Sequence, residues 1–208
     1  MSEKYRTVAL ETADEFTEKR SRFIGYIKPV TTEEEAVQFI QSIKQKHWDA
    51  RHNVYAYRLR KGQIQRYSDD GEPQGTAGIP TLDVLVKNDL TDVAVVVTRY
   101  FGGILLGGGG LVRAYSHATH LAVEKAGVIT MELCRLCVLT CDYNQYGKIA
   151  SLIPECGGVT DDSDFGENVT VRFHIAEEEL SGFSAKLADI TCGSVTPEIA
   201  GEKFFQKK

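Results

Sequence analysis

Long apolar runs are missing from this sequence of 208 residues. The longest, from Phe101 to Val112, has twelve residues, of which six are glycine, whereas a helix needs about 20 apolar residues to cross a bilayer. The opening residues, MSEKYRTVALETADEF, are polar and charged, unlike the apolar segment of a secretory signal. These two absences exclude a membrane-spanning class. They predict a cytoplasmic protein with no membrane partner.

Cysteine is absent before residue 134 and occurs five times from there on. An odd number in a chain without a secretory signal argues against a disulfide framework. Cys134 and Cys137 form a C-x-x-C, but ELCRLCVLTCDY has the pattern of a strand, in which residues three apart point to opposite faces. We therefore predict buried, free thiols, with zinc binding or redox chemistry as the open alternatives.

An excess of positive charge is also missing, since the formal net charge is −5. Residues 1–130 carry 17 basic and 16 acidic side chains, whereas residues 131–208 carry 7 and 13. The acidic second half repels phosphate, which excludes it as a general nucleic-acid binder. Any contact with a polyanion must use a local basic patch in the first half.

The first half predicts a helix from Thr32 to about Lys46. Thr32 and Glu35 have the spacing of a capping box, and an apolar stripe follows at helical spacing, formed by Ala36, Phe39, Ile40 and Ile43. Further strands are predicted at residues 7–10, 22–27, 53–60, 63–67 and 92–98, with the first two paired as a hairpin, and helices at 79–86 and 111–126.

The second half predicts the order β-α-β-β-α-β, which is the ferredoxin-like pattern. Its strands are expected at residues 132–141, 158–163, 168–174 and 194–205, and its helices at 143–153 and 177–190. Because this unit is complete in itself, we predict an α+β protein with two domains, residues 1–130 and residues 131–208.

The segment FGGILLGGGG, residues 101–110, lies between a predicted buried strand and a predicted helix. Glycine permits close approach to the backbone, and the first N–H groups of a helix attract anions. Arg99 and Arg113 flank the segment and could add charge-assisted bonds. Neither the P-loop nor the dinucleotide fingerprint fits. An anion or partner site and a tight strand-to-helix crossing both remain open.

The segment SDDGEPQGTAG, residues 68–78, contains turn-forming residues and three carboxylates, Asp69, Asp70 and Glu72. These carboxylates could hold magnesium or act as a general base, although solvated turn carboxylates are more common. Thr76 could cap the next helix or offer its hydroxyl to a ligand.

Basic and aromatic side chains alternate on the predicted strand at residues 53–60. Arg58 and Arg60 share one face and Tyr55 and Tyr57 share the other. Such a strand could bind RNA, its backbone through the arginines and its bases through the tyrosines. The alternative is a solvated strand end over an ordinary core. The remaining nucleic-acid candidates nearby are Lys61 and Arg66.

No catalytic set can be placed from the sequence. His117 and His120 lie three residues apart on a predicted helix, but a zinc site needs further ligands. We predict no cofactor and no resident metal, and we leave open whether any reaction is catalysed.

Together, DARHN (49–53), YSDDGEPQGTAGIP (67–80) and VVVTRYFGGILLGGGGLVRAY (95–115) resemble the YigZ/IMPACT family. The resemblance implies a ribosomal protein S5 domain 2-like fold for the first domain and a ferredoxin-like second domain, as in bacterial members. It also implies a link to translation, because the eukaryotic relative is a translation regulator. The family motif falls on Arg51, His52, Ser68, Asp69, Asp70, Gly71, Glu72, Pro73, Gly75, Thr76, Gly78, Pro80, Arg99, Tyr100, Gly102, Gly103, Gly107 and Gly110.

Three hypotheses about function follow. The leading one is a translation-associated binding protein that contacts RNA or the ribosome through its first domain. The second is an enzyme that acts on a phosphate-bearing small molecule held by the glycine segment. The third is an adaptor whose acidic second domain docks a basic protein partner. The sequence indicates neither the ligand nor the oligomeric state.

Overall fold

The computed structural model describes residues 3–207. The chain forms two compact units, an N-terminal unit, Tyr5–Thr130, and a C-terminal unit that contains residues 131–207 together with residues 3–4. Within the described residues, no helix combines the length and apolarity that crossing a membrane requires.

The described part of the N-terminal unit is built from the first six strands and the first three α-helices, and the seventh strand begins in it. Their bounds are β1 Lys4–Val8, β2 Thr12–Glu18, β3 Ser21–Pro29, α1 Glu33–Lys46, β4 His52–Leu59, β5 Ile64–Ser68, α2 Gly78–Lys87, β6 Val93–Tyr100, α3 Gly108–Ala126 and β7 Val128–Cys141. Five of these strands form an antiparallel sheet in the order β2-β3-β6-β4-β5.

Helices cover both faces of this sheet. α1 packs on one face through its predicted stripe, Ala36, Phe39, Ile40 and Ile43. α2 and α3 pack on the other face, against a cluster that includes Phe23, Leu85 and Tyr115. Since β6 lies at the centre of the sheet with both faces covered, its run VAVVV is apolar at every position.

The predicted capping box of α1 is present. The Thr32 side chain accepts a hydrogen bond from the Glu35 amide, and the Glu35 carboxylate accepts one from the Thr32 amide. At the other end of the unit, Gly127 ends α3 at a φ of 70°, where glycine avoids the strain of a side chain. Both helix ends therefore lie where local chemistry predicts them.

The predicted N-terminal hairpin is wrong in one of its two strands. β3 pairs with β2, Thr12–Glu18, and not with the segment at residues 7–10. The sequence of β2, TADEFTE, contains one large apolar residue, Phe16, and its other side chains are partly or fully exposed. It therefore lacks the apolar alternation by which a half-buried strand is recognised.

The C-terminal unit has the predicted chain order, β7-α4-β8-β9-α5-β10. The new bounds are α4 Tyr143–Glu155, β8 Val159–Phe165, β9 Val169–Ala176, α5 Leu180–Thr191 and β10 Glu198–Gln206. Within a five-stranded sheet, β7 pairs with β9 and β10, and β8 pairs with β9, so β7 to β10 have the order β10-β7-β9-β8. Both helices contribute to the core of this unit.

The five cysteines, all of which the structure describes, are free, but the predicted burial holds for three of them, since Cys156 is partly buried and Cys192 is exposed. Cys134, Cys137 and Cys141 are buried on β7, and burial raises the pKa of each of these thiols above its ordinary value. A raised pKa keeps the thiol protonated at neutral pH, which disfavours both metal binding and nucleophilic attack.

Candidate functional site

A cavity of about 330 Å³ lies in the N-terminal unit, beyond the end of β6. It brings together the three segments that the sequence singled out. Residues from DARHN, from the turn-rich segment and from the glycine segment all line it, and Leu111 of α3 completes it. The lining residues are Arg51, His52, Gly71, Glu72, Pro73, Arg99, Phe101, Leu105, Leu106, Gly107, Gly108 and Leu111.

The sheet topology accounts for this convergence. β6 pairs antiparallel with both β3 and β4, so the end of β6 meets the beginning of each neighbour. His52 at the start of β4 lies directly opposite Arg99. Beyond Tyr100 the chain leaves the sheet and turns into α3 at Gly108. Side chains from three distant parts of the sequence therefore share one edge of the sheet.

A buried ion pair lies beside the cavity. Arg99 Nη1 lies 2.6 Å from Glu72 Oε1, and the side chains of the two residues are only 6% and 4% exposed. Arg99 Nη2 also donates to Ser21 Oγ at 3.4 Å. We predicted from the sequence that Arg99 would be available to an anion beside the glycines. This prediction requires correction, because Glu72 already neutralises the guanidinium.

Tyr115 of α3 belongs to the same cluster. Its hydroxyl donates to Glu72 Oε1 at 2.7 Å. Burial, with the nearby Glu72 carboxylate, raises the pKa of Tyr115 far above its ordinary value, so the phenol remains a hydrogen-bond donor. Arg99 and Tyr115 therefore donate to the same carboxylate oxygen. The other oxygen, Glu72 Oε2, lies 3.8 Å from His52 Nε2.

The loop before Glu72 orients His52. His52 Nδ1 lies 2.8 Å from the carbonyl oxygen of Asp70. Because a carbonyl oxygen can only accept, Nδ1 carries the proton and Nε2 of the neutral ring is an acceptor. Gly71, at a φ of +86°, lies against the same ring, where a Cβ would be 3.5 Å from Nδ1. The orientation of the imidazole is thus set by main-chain contacts.

Asp69 organises the turn-rich segment from within. Its Oδ1 accepts from the amides of Ala77 and Gly78, and its Oδ2 accepts from the amide of Gly75. Ala77, the residue that precedes α2, has no side chain able to cap the helix, so Asp69 supplies the cap from eight residues upstream. The prediction that Asp69 faces a ligand is corrected, because both of its oxygens are bound to the protein's own backbone.

Replacing Asp69 with alanine is expected to destabilise the N-terminal unit by about 2 kcal/mol or more, since three amides lose a charged acceptor. Urea unfolding followed by circular dichroism measures the change. Asp83→Ala, an exposed carboxylate on α2, is the matched control and should change stability by less than about 0.5 kcal/mol. Equal effects of the two substitutions would contradict the capping role.

The remaining residues of this segment also have structural contacts. Asp70 accepts from the Asn53 amide at 2.6 Å and pairs with Lys44 at 2.7 Å, so it joins the loop to β4 and α1. The Thr76 hydroxyl donates to the Pro73 carbonyl. Gly78 leaves no room for a side chain, because a Cβ would lie 2.8 Å from the Tyr67 ring.

Among the described residues, no group of three or more His, Cys, Asp or Glu side chains is arranged to hold a metal ion. Asp69, Asp70 and Glu72 point to three different sets of protein partners. The alternative in which these carboxylates together hold magnesium is therefore not supported by their geometry.

The glycines of the glycine segment have three different roles. Gly102 lies against the hairpin between β2 and β3, where a Cβ would be 2.1 Å from the Arg20 carbonyl group. Gly103 and Gly107 have positive φ values of +83° and +76° and redirect the chain. Gly110 lies against Leu106. Only the residues after Gly107 enter α3, which begins three residues earlier than predicted.

The start of α3 is open on the cavity side. Gly107 precedes the helix and offers no side-chain cap, and both Gly107 and Gly108 line the cavity. The first hydrogen bond of the helix is donated by Leu111, to the Gly107 carbonyl. The amides of residues 108–110 therefore have no partners within the helix. Such amides are the ones that the sequence analysis predicts for an anion site.

Arg113 is exposed and lies on the other side of Leu106. There it lines a second cavity, of about 270 Å³, with Phe16, Lys19 and His117. The two flanking arginines of the glycine segment therefore face different surroundings. Arg99 is buried in an ion pair, whereas Arg113 remains available at the surface.

The proposed RNA-binding face of β4 requires correction. Tyr57 is 4% exposed, its hydroxyl donates to Glu33 at 2.5 Å, and its ring stacks on that of Tyr55 beneath α1. The two tyrosines do share one face of β4, but this face is the one that α1 covers. The Tyr57 ring is therefore not available to nucleobases, and the Tyr55 ring is partly buried against the same cluster.

Arg58 on β4 and Arg60 just after it, which were predicted to share the opposite face, are also engaged. Arg58 donates to the carbonyl oxygens of Leu85 and Leu90. Arg60 lies over the Tyr5 ring and close to Asp92. Lys61 and Arg66 are exposed, but they lie at the far end of β4 and on β5, away from the residues that line the cavity. The basic strand is mainly a structural feature of the sheet.

Tyr100, the last residue of β6, belongs to a hydrogen-bonded chain. Its hydroxyl donates to Asp49 at 3.0 Å and lies 2.8 Å from His47 Nδ1. His47 Nε2 in turn lies 2.7 Å from the Tyr26 hydroxyl. Burial, with the charges of Lys46 and Arg22, lowers the pKa of His47. Tyr100 therefore fixes the edge of the site but does not line the cavity.

Sequence reasoning missed several residues of this site. Ser21 joins Arg99 to the Gly102 amide, and Tyr115 completes the cluster around Glu72. The sequence identifies Phe101 and Leu105 only as apolar residues, yet they are 39% and 81% exposed beside the cavity. The only local feature that could have predicted the exposure of these two side chains is their position among glycines. Nothing in the sequence predicts the partners of Ser21 or Tyr115.

Comparison with known proteins identifies the family. The Impact N-terminal domain model matches residues 19–123, which include every residue that lines the cavity, and a Domain of unknown function (DUF1949) model matches residues 139–194. The IMPACT family member YvyE of Bacillus subtilis (strain 168) is 41% identical over 194 residues, which are 93% of this chain and 89% of that protein.

This chain belongs to the IMPACT family. The family member YigZ of Escherichia coli (strain K12) is 37% identical over 85% of this chain and 88% of that protein. A solved structure titled "Crystal structure of an hypothetical protein" is 34% identical, with a TM-score of 0.62 over 97% of this chain and 99% of that one. The family predicted from the three sequence blocks is confirmed.

Proposed function

We propose that this IMPACT family member is a translation-associated binding protein, and that its N-terminal unit contacts single-stranded RNA at the face around the cavity. One observation carries the proposal: the three family segments meet at one open cavity instead of being spread over the unit. A regulatory role in translation, in the cytoplasm, is the function that the family resemblance favours.

The charges around the cavity suit a phosphate backbone. Arg51 is exposed and lines the cavity, and Lys19, Arg20 and Arg113 are exposed near the adjoining one. The uncapped amides at the start of α3 lie between these groups, and amides at a helix N-terminus bind anions. Because the C-terminal unit is acidic, we assign the contact with RNA to the N-terminal unit.

Apolar surface beside these charges suits nucleobases. Phe101, Ile104 and Leu105 are 39%, 41% and 81% exposed, and the Arg51 guanidinium lies 5.8 Å from the centre of the Phe101 ring. Exposed rings and guanidinium planes next to a basic groove are typical of proteins that bind single strands without sequence preference. We therefore assign the contact with RNA to this face and not to β4, where the sequence predicted it.

We further propose two domains, residues 1–130 with the ribosomal protein S5 domain 2-like fold and residues 131–208 with the ferredoxin-like fold. The strand order β10-β7-β9-β8, with α4 and α5 in one core, supports the second assignment. The first assignment is supported by the three layers of the N-terminal unit. α1 packs on one face of the five-stranded sheet, and α2 and α3 pack on the other.

The test is fluorescence anisotropy with a labelled single-stranded RNA at a series of salt concentrations. We expect binding at low salt, and a double variant, Arg51→Gln with Arg113→Gln, should bind about tenfold or more weakly. Each lost phosphate contact should also lower the salt slope by about 0.7. Lys87→Gln, an exposed charge at the far end of α2, is the control that should leave affinity unchanged.

Two outcomes would reject this proposal. Absence of RNA binding even at low salt is the first. The second is co-sedimentation with ribosomes that persists in the double variant although its affinity for RNA is lost. That result would assign the exposed apolar loop to a protein partner.

A further inference from the structure

Two hydrogen-bond acceptors face each other at the cavity wall, with no donor from the described residues between them. His52 Nδ1 donates to the Asp70 carbonyl, so Nε2 of the neutral ring carries a lone pair. Glu72 Oε2 lies 3.8 Å from that nitrogen, which is too long for a direct hydrogen bond. The side-chain donors that reach Glu72, from Arg99 and Tyr115, both bind Oε1.

A ligand that fills this gap must supply donors to both atoms. The Glu72 side chain is 4% exposed and that of His52 is 11% exposed, so a ligand bound at these two atoms is largely enclosed by the protein. Neighbouring hydroxyl groups on a ribose ring can each donate one hydrogen bond. A carboxylate that accepts from a ribose hydroxyl is also the recurrent arrangement in dinucleotide-binding proteins.

The charges favour a neutral diol over an ammonium group. Arg51 and Arg99 both line the cavity, and Glu72 is the only carboxylate among its described lining residues. Because Arg99 is paired with Glu72, the charge of Arg51 leaves the lining net positive, which disfavours a cation and favours a phosphate. The volume of about 330 Å³ falls in the range of small-molecule pockets, and is suited to one nucleotide but not to a duplex.

We propose that this cavity binds the 2′,3′-diol of a terminal ribose, through His52 Nε2 and Glu72 Oε2. The proposal rests on the proposed function, since it assigns the cavity to the 3′ end of the bound RNA. An internal ribose has its 3′ oxygen esterified and offers one donor, whereas a 3′-terminal nucleotide offers two. A free nucleotide carries the same diol, and the experiment separates these two sources.

The experiment compares two RNAs that differ only at the 3′ end. Anisotropy is measured with one 5′-labelled oligonucleotide that ends in an ordinary ribose and one that ends in a 2′,3′-dideoxyribose. We expect the dideoxy RNA to bind about tenfold more weakly, because it cannot donate the proposed hydrogen bonds to His52 Nε2 and Glu72 Oε2. A 3′-phosphate should weaken binding as well. In His52→Phe, which keeps a ring but has no acceptor, the two RNAs should differ by less than about twofold.

A matched control separates the diol from the phosphates. Arg51→Gln should weaken binding of both RNAs by the same factor, because it removes a charge and not an acceptor. Circular dichroism of each variant verifies that it is folded. Should His52→Phe fail to fold, the comparison of the two RNAs on the unaltered protein still decides the question.

The outcomes distinguish this inference from the proposed function. Equal affinity for the two RNAs overturns the inference and leaves RNA binding in place. If neither RNA binds at low salt, the proposed function fails, and calorimetry with adenosine 5′-monophosphate and its 2′,3′-dideoxy form tests the cavity directly. Binding that depends on the diol would then assign the cavity to a free nucleotide, and no binding would overturn the inference as well.

Discussion

Replacing Arg99 with methionine is expected to destabilise the N-terminal unit by about 3–5 kcal/mol. The substitution leaves Glu72 buried, with its charge uncompensated and with Tyr115 as its remaining donor. The cost arises from the orphaned carboxylate more than from the lost attraction, since burying an unpaired charge is strongly unfavourable. Urea unfolding followed by circular dichroism measures the change.

The matched control is an arginine in an exposed ion pair. Arg22 and Glu15 lie 2.6 Å apart with both side chains 51% exposed, and Arg22→Gln should cost less than about 1 kcal/mol. The double variant Arg99→Met with Glu72→Leu should recover much of the lost stability, because it leaves no charge behind. A cost below about 1 kcal/mol for Arg99→Met alone would show that the pair is not buried in solution.

Replacing Gly102 with alanine is expected to cost about 3 kcal/mol or more. The new Cβ would lie 2.1 Å from both the carbonyl carbon and the carbonyl oxygen of Arg20 and 2.5 Å from the Ser21 amide nitrogen. All three are main-chain atoms, so no side chain can rotate to make room. The glycine segment or the hairpin between β2 and β3 must move, which also breaks the contact of the Gly102 amide with Ser21.

Gly109→Ala is the matched control in the same segment. A Cβ at Gly109 meets only the end of the Arg113 side chain, at 3.9 Å, and the residue lies in the first turn of α3. This substitution should leave stability unchanged or raise it by up to about 1 kcal/mol. If both alanine variants unfold at the same urea concentration, the close approach at Gly102 is absent in solution.

Where burial and local chemistry coincide, the sequence predicted the fold closely. α1 is an example, because its capping box and its apolar stripe lie within one continuous segment. β6 is another, since an unbroken run of β-branched residues is typical of a strand covered on both faces. β2 was missed because it is an exposed edge strand whose one large apolar residue gives no period.

The candidate site was less predictable than the elements that carry it. The sequence selected the correct segments, since residues from all three line the cavity. It did not reveal that Asp69 would bind its own loop or that α1 would cover Tyr57. Both outcomes depend on which face of an element meets its neighbour, and the period of a strand identifies its faces without saying which one is covered.

By itself, the sequence determined the helices, most of the strands, the chain order of the C-terminal unit and the resemblance that identified the family. These follow from periodicity, capping and turn chemistry, all of which act between residues close in the chain. The tertiary structure alone decided that Arg99 is paired with Glu72, 27 residues away, and that Tyr115 shares that carboxylate across 43 residues. Such partners are chosen by the packing of the sheet edge against α3, and no local pattern encodes that choice.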